Sequence, residues 1–167
     1  MDKANSGILV AEEKEVILLR VDGKGTHLTS HLFKRYVLQC LTENRKHFHV
    51  DLSQCSYMDS TFLGMMAGIG IKMKQQSLPA IKLVNINDRV RGMFESLGID
   101  HLFEMIQQAN VAANFSEVQG GGDSKDGKTR EMLEAHEKLV EVSKANEAKF
   151  RDVIALLREE VRKTGGS

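Results

Sequence analysis

Short apolar runs and helical stripes alternate along the chain up to residue 106, and this alternation is the strongest constraint on its fold. Two apolar runs, 8–11 and 16–21, flank a polar stretch at 12–15 and predict a β-hairpin. Repeated strand–helix–strand crossovers follow, and these are typical of parallel sheets that carry helices. The sequence therefore predicts an α/β domain over residues 1–110 with a small mixed, mostly parallel sheet.

The later elements of this domain are recognised by length and periodicity. Strands are predicted for three short apolar runs, at 49–52, 80–85 and 102–106. Helices are predicted where apolar side chains recur at spacings of three and four, over 32–41, 65–73 and 90–97. Gly98 follows the last of these helices and can end it.

The rest of the chain differs in composition and is predicted to lie outside the domain. Residues 119–127, QGGGDSKDG, contain four glycines and no apolar side chain. We therefore expect a flexible linker over 111–127. Residues 128–163 contain no Gly or Pro and are rich in good helix formers. They predict one long amphipathic helix of roughly 54 Å, within a segment 128–167 that ends in a short disordered tail.

The predicted C-terminal helix carries an apolar stripe that some surface has to bury. Its positions are Ala135, Leu139, Val142, Asn146, Phe150, Val153 and Leu157. The stripe is compatible with a helix that covers its own domain and with a coiled coil between two copies. Because a lone Asn in a coiled-coil core can fix the register of a dimer, we favour a homo-oligomer formed through this helix.

Composition argues against several classes of partner and location. Lys+Arg and Asp+Glu both number 23, so the formal net charge is zero and gives no general attraction to nucleic acid or membranes. The N-terminal residues lack the apolar core of a signal peptide, and no run of about 18 apolar residues occurs. We therefore expect a cytoplasmic protein. Cys40 and Cys55 stand alone in the sequence, and we expect both to be reduced and buried.

The sequence carries no motif for catalysis or cofactor binding. It has no glycine-rich nucleotide-binding motif and no H-E-x-x-H zinc motif. The pairs His27/His31 and His47/His49 lack a third ligand at a recognisable spacing. We therefore expect no metal, no cofactor and no enzymatic activity.

The junction YMDSTFLGMM, residues 57–66, places Asp59, Ser60 and Thr61 between a predicted strand and a predicted helix. Such side chains commonly accept hydrogen bonds from the free amides of a helix N-terminus, so simple capping explains them. Capping does not explain Gly64, because glycine inside a helix costs roughly 1 kcal/mol relative to alanine. Gly64 therefore predicts a close approach by another backbone.

The stretch VDLSQCSYMDSTFLGMMAGI, residues 50–69, resembles the signature of STAS domains, the fold of bacterial anti-sigma factor antagonists. The segment KLVNINDRVRGMFESLGIDHLFEMI, residues 82–106, continues the resemblance. Together the similarity covers about residues 8–106. It implies a STAS-like fold. The glycine-rich linker and the long C-terminal helix lie outside the family's pattern.

The resemblance implies that Ser60, the serine of the family's Asp-Ser pair, is a phosphorylation site. The implied partners are a serine kinase that doubles as an anti-sigma factor, which binds the unphosphorylated form, and a phosphatase that resets it. ATP and magnesium would belong to the kinase. The implied partner-binding residues surround the serine: Asp59, Thr61, Gly64, Thr26, Lys24 and Asp22.

One position departs from the family's pattern. Many members carry an Asp where this chain has Thr26, in the stretch Gly23-Lys24-Gly25-Thr26. The change bears on the identity of the partner and on the ease of phosphorylation, and Lys24 could stabilise a phosphate. The alternative from another class is a scaffold subunit that oligomerises through its C-terminal helix and whose Ser60 is vestigial.

Overall fold

The computed structural model describes residues 6–108, 113–120 and 125–165. The strands are β1 Gly7–Glu13, β2 Val16–Gly25, β3 His47–Asp51, β4 Cys55–Met58, β5 Lys82–Val84, β6 Glu104–Ile106 and β7 Ser116–Glu117. The helices are α1 Ser30–Thr42, α2 Ser60–Gln75, α3 Asp88–Ser96, α4 Lys125–Val142 and α5 Ala145–Gly165. A 3₁₀ turn, Asp100–Leu102, precedes β6.

The strands form one sheet in the order β6-β5-β3-β2-β1-β7, and β4 pairs with the C-terminal end of β2 off this path. The hairpin β1–β2 is antiparallel, as is the short pairing of β7 with β1. The pairs β2–β3, β2–β4, β3–β5 and β5–β6 are parallel. The predicted mixed, mostly parallel sheet is therefore confirmed.

Two short strands were not predicted. β4 is only four residues long and buries two of them, so its apolar signal is weak. β7 has two residues and lies inside the predicted linker, where it pairs with β1 at Leu9 and Val10. Part of the segment 111–127 therefore belongs to the edge of the sheet, and helix α4 begins at Lys125, inside the other end of that segment.

Helix α2 lies at the centre of the molecule. Its residues from Thr61 to Ala67 are all buried, as are Ile69, Gly70 and Met73. Phe62 packs edge to face on Phe33 of α1, with ring centroids 5.6 Å apart, in the same buried cluster as the strand residues. A helix that is apolar on all sides needs cover on all sides. The core covers one side of α2, and α4 packs along another.

The C-terminal segment is helical, as predicted, and α5 is a long helix within it. The single helix predicted over 128–163 is nevertheless divided, because the α-helix stops at Val142 and resumes at Ala145. At this elbow, the buried amide of Asn146 donates to Leu139 O, at 2.8 Å, and to Leu97 O, at 2.9 Å. The bend thus forms where Asn146 satisfies carbonyls at the ends of α4 and α3.

Most of the apolar stripe is buried or half-buried within the chain, and Val153 is exposed. Leu139 is fully buried in the main core, and Ala135 and Leu157 are nearly so. Burial of a leucine side chain contributes about 1.5–3 kcal/mol, so the packing of α4 on α2 and of α5 on α4 accounts for most of the stripe without a second copy. The burial argument for a homo-oligomer is therefore reduced to Val153, and Asn146 lies at an intramolecular elbow rather than in the core of a coiled coil.

Candidate functional site

Asp59 fixes the junction between β4 and α2. Its backbone N–H donates to Gly25 O at 2.9 Å, which ties the junction to the end of β2. Its carboxylate Oδ1 accepts from Phe62 N at 2.8 Å, and Asp59 is the N-cap of α2. Oδ2 accepts from His27 N at 2.9 Å, and the His27 ring lies 3.4 Å away. The carboxylate is thus held by the helix on one side and by the β2–α1 loop on the other.

Ser60 is the first residue of α2, and its hydroxyl is engaged by the C-terminal helices. Ser60 Oγ lies 2.8 Å from Nε2 of His136 on α4. His136 is 3% exposed, and its ring packs edge to face on Phe150 of α5, with ring centroids 5.2 Å apart. The side chain of Ser60 therefore points at a covered surface of its own chain.

The hydrogen bonds of His136 determine which group donates to which. Nδ1 lies 2.6 Å from Met132 O, and a carbonyl oxygen can only accept. Nδ1 therefore carries a proton, and in the neutral ring Nε2 has a free lone pair. The hydroxyl of Ser60 donates to that lone pair. Both ring nitrogens of this buried histidine are thus satisfied, as buried polar groups require.

Gly64 is the point of closest approach between α2 and α4. A Cβ built on Gly64 would overlap the carbonyl of Ala135 and lie 2.8 Å from Ala135 Cβ. The predicted close backbone contact at Gly64 is therefore confirmed, and the approaching backbone is that of α4. Thr61, one turn earlier, is 4% exposed. The N-terminal half of α2 is consequently buried from Thr61 onward, and Ser60 is half-buried.

A model of the STAS domain family matches residues 8–114, well over half of the 167-residue chain. The chain belongs to the STAS domain family. The match includes the sheet up to β6, helices α1 to α3, and the Asp59–Ser60 junction. Helices α4 and α5 lie outside it, so the helix that carries His136 is an addition to the STAS domain.

Solved structures with the same fold include two states of one protein. The anti-sigma factor antagonist SpoIIAA in its unphosphorylated form is 17% identical, with a TM-score of 0.50 over 60% of this chain and 87% of that chain. The Bacillus cell fate determinant SpoIIAA in the phosphorylated form is 15% identical, with a TM-score of 0.51 over 61% and 91%. TM1081 of Thermotoga maritima is 20% identical, with a TM-score of 0.53 over 60% and 85%.

The structure brings the predicted site residues together only in part. Asp59, Ser60, Thr61 and Gly64 form one continuous stretch at the start of α2. Thr26 lies in the adjoining loop, where its hydroxyl accepts from Leu28 N at 3.2 Å. The β2–α1 loop therefore lies beside the Asp59–Ser60 junction, and His27 makes its contact with Asp59.

Lys24 and Asp22 lie further from the junction and are engaged elsewhere. Asp22 forms a two-pronged ion pair with Arg20, at 2.7 and 3.1 Å, so its charge is neutralised on its own strand. The side chain of Lys24 is exposed, and its backbone N–H donates to Ser6 Oγ at 3.1 Å. Neither side chain has a described contact with Ser60.

Two site residues escaped the sequence argument. His27 donates its backbone N–H to Asp59, and the pattern of side chains in the sequence does not predict a backbone bond of this kind. His136 lies 76 residues after Ser60. The signal that could have pointed to α4 was Gly64, since the glycine required a close backbone approach that the STAS domain itself does not supply.

Other candidate groups of the STAS domain behave as buried or dispersed side chains. Cys40 and Cys55 are both free and buried, as predicted, and burial raises the pKa of each thiol. Among the described residues, no three His, Cys, Asp or Glu side chains are grouped to hold a metal ion. None of the helices in the described ranges is long and apolar enough to cross a membrane.

Proposed function

We propose that this STAS domain is a phosphorylation-switched protein-binding module, an anti-sigma factor antagonist or a related partner-switching regulator, whose switch is Ser60. The observation that carries the proposal is the position of Ser60 itself. It directly follows the capping Asp59 and opens α2, within a domain of the family to which the Asp-Ser pattern belongs. The likeness to SpoIIAA, which has been solved in unphosphorylated and phosphorylated forms, agrees with this role.

The physical chemistry of the position suits a reversible switch. A helix N-terminus carries partial positive charge and unpaired amides, so it tolerates a phosphate well. Phosphorylation adds about −1.5 to −2 charge to a small neutral side chain. The sheet and α2 can stay folded through this change, whereas a partner surface packed on Ser60 would meet an unpaired charge beside Asp59. The modification thus weakens binding locally and needs no rearrangement of the sheet.

The proposed partners are protein enzymes of the switch, and this chain supplies no chemistry of its own. A serine kinase that also acts as an anti-sigma factor binds the unphosphorylated form and transfers phosphate to Ser60. A phosphatase removes it. Asp59, Thr61, Gly64 and the β2–α1 loop with Thr26 form the proposed contact surface, and Lys24 and Asp22 lie at its edge. Of these residues, Thr61 and Gly64 are buried in this structure. The proposed location is the cytoplasm.

Capture of partners from extracts of the source cells, with ATP and magnesium present, tests this function. Wild-type protein and the variants Ser60→Ala and Ser96→Ala are used as bait, and bound proteins and phosphopeptides are read by mass spectrometry. Ser96 is exposed on α3 and serves as the matched control. We expect phosphate on Ser60 in the wild type and the Ser96 variant, and a serine kinase among the captured proteins. If the wild type and the Ser60→Ala variant capture the same proteins and Ser60 carries no phosphate, the scaffold alternative is favoured.

A further inference from the structure

We propose that the α4–α5 hairpin is an intramolecular competitor for the Ser60 face: it covers that face in the unmodified chain, and a phosphoryl group on Ser60 expels it. The inference rests on the proposed function for the modification of Ser60. It goes beyond that function because the competing surface is part of the same chain and lies outside the residues that match the STAS family.

The first support is the engagement of the Ser60 hydroxyl. Its hydrogen is donated to Nε2 of His136 at 2.8 Å, and a hydroxyl held at that distance leaves no room for a phosphoryl group between the two side chains. A kinase needs this oxygen as the attacking nucleophile and must approach it directly. The hairpin therefore has to move away before phosphate can be transferred.

The second support is the closeness of the two backbones next to the site. Because the Ala135 carbonyl fills the space where Gly64 would carry a Cβ, α4 cannot slide along α2 to make room for three phosphate oxygens. His136 and Ala135 are 3% and 4% exposed, so neither can be displaced without lifting α4. With the Ser60 side chain directed at His136 as observed, a phosphoryl group on its Oγ and the observed position of α4 are mutually exclusive.

The third support is that part of the contact between the hairpin and the domain is incompletely packed or exposed. Between α1, α2 and α4 lies a cavity of about 310 Å³, lined among others by Lys34, Met65 and Lys138, so packing on this side is incomplete. Two polar contacts between the hairpin and the domain are exposed. Lys34 pairs with Glu134 at 2.7 Å, and Lys149 donates to Ser96 O at 2.8 Å. Exposed ion pairs contribute little to stability.

The consequence for binding follows from population arithmetic. A partner that reads the Ser60 face binds only the fraction of molecules in which α4 is displaced, so its apparent affinity is reduced by that fraction. A partner therefore binds at a given concentration only if its affinity for the open form is high enough to offset the small open fraction. Once Ser60 is phosphorylated, the hairpin stays away, and a phosphatase has access to the modified side chain.

Hydrogen exchange on the full chain with phosphoserine installed during synthesis tests the inference without any kinase. Three proteins are compared: unmodified, phosphoserine at position 60, and phosphoserine at position 53. Ser53 is exposed in the β3–β4 loop and places the same charge on the same domain. We expect amides of α4 around 132–142 to exchange about tenfold faster or more with phosphoserine 60, while β2 and β3 stay protected.

The control and the alternatives separate the outcomes. Phosphoserine 53 should leave the exchange of α4 unchanged. Unchanged or slower exchange of α4 with phosphoserine 60 would overturn the inference, since it would mean that His136 accommodates the phosphate. That result would leave the proposed function standing, because phosphorylation of Ser60 in cell extract is measured separately. Conversely, absence of that phosphorylation would overturn the function without altering the exchange result.

Discussion

Ser60 and His136 are 76 residues apart in the sequence and share a hydrogen bond of 2.8 Å. The bond joins the first residue of α2, within the STAS domain, to a helix that lies outside it. With the histidine ring neutral, its donor is the hydroxyl, because Met132 O holds the ring proton on Nδ1. The residue proposed as the phosphorylation site is therefore also the residue on which the C-terminal hairpin closes.

A double-mutant cycle measures the strength of this link. Ser60→Ala leaves the buried Nε2 without a donor and should lower the free energy of unfolding by about 1–3 kcal/mol. In a His136→Leu background the same change should cost less, with a coupling energy of about 0.5–3 kcal/mol. Urea unfolding of the four proteins provides the values, and Ser96→Ala serves as a surface control. Additive single changes would show that the bond does not hold the hairpin.

Gly64 allows a sharp comparison with a second helical glycine. Gly64→Ala introduces a Cβ that overlaps the Ala135 carbonyl, so we expect α4 to lift and its amides to lose protection. Around Gly92 of α3, no atom beyond its chain neighbours and the backbone of its own helix lies within 4 Å of a built Cβ. Gly92→Ala should therefore stabilise the protein by about 0.4–1 kcal/mol. If urea unfolding and hydrogen exchange show that Gly64→Ala also stabilises and leaves α4 protected, the close packing of the two helices is wrong.

Asn146 distinguishes the intramolecular elbow from a coiled-coil seam. Asn146→Leu removes the donor to Leu97 O and Leu139 O, and we expect a loss of about 1–3 kcal/mol in the free energy of unfolding. If Asn146 instead lay in a coiled-coil interface between two copies, leucine would stabilise that interface and the chains would associate more strongly. Sedimentation equilibrium and urea unfolding report the two effects. Ala148→Leu, at an exposed position of α5, is the control and should change stability by no more than about 0.5 kcal/mol.

Local patterns sufficed for most of the STAS domain. The hairpin β1–β2 follows from two apolar runs around a polar stretch, and the cap of α2 follows from Asp59, whose carboxylate accepts from Phe62 N. Both depend on residues that are near one another in the sequence. Gly64 also predicted a close contact, because helix formation alone does not explain a glycine at that position.

The position of the C-terminal helices was beyond local reasoning. A stripe at spacings of three and four is the same whether a helix packs on its own domain or on a second copy, so the pattern around Leu139 could not decide between them. The break at Asn146 depends on Leu97 O, a partner 49 residues away that has no signature in the sequence. For the same reason His136 gave no sign of its contact with Ser60.

The affinity of the chain for the proposed serine kinase tests the central claim most directly. Unmodified protein and protein with phosphoserine at position 60 are titrated against that kinase by calorimetry, with phosphoserine 53 as the charge-matched control. We expect phosphoserine 60 to weaken binding by about tenfold or more, because an interfacial phosphate beside Asp59 costs at least about 1.4 kcal/mol. The control should bind like the unmodified chain. Equal affinity of the unmodified and phosphoserine 60 proteins would contradict a switch at Ser60.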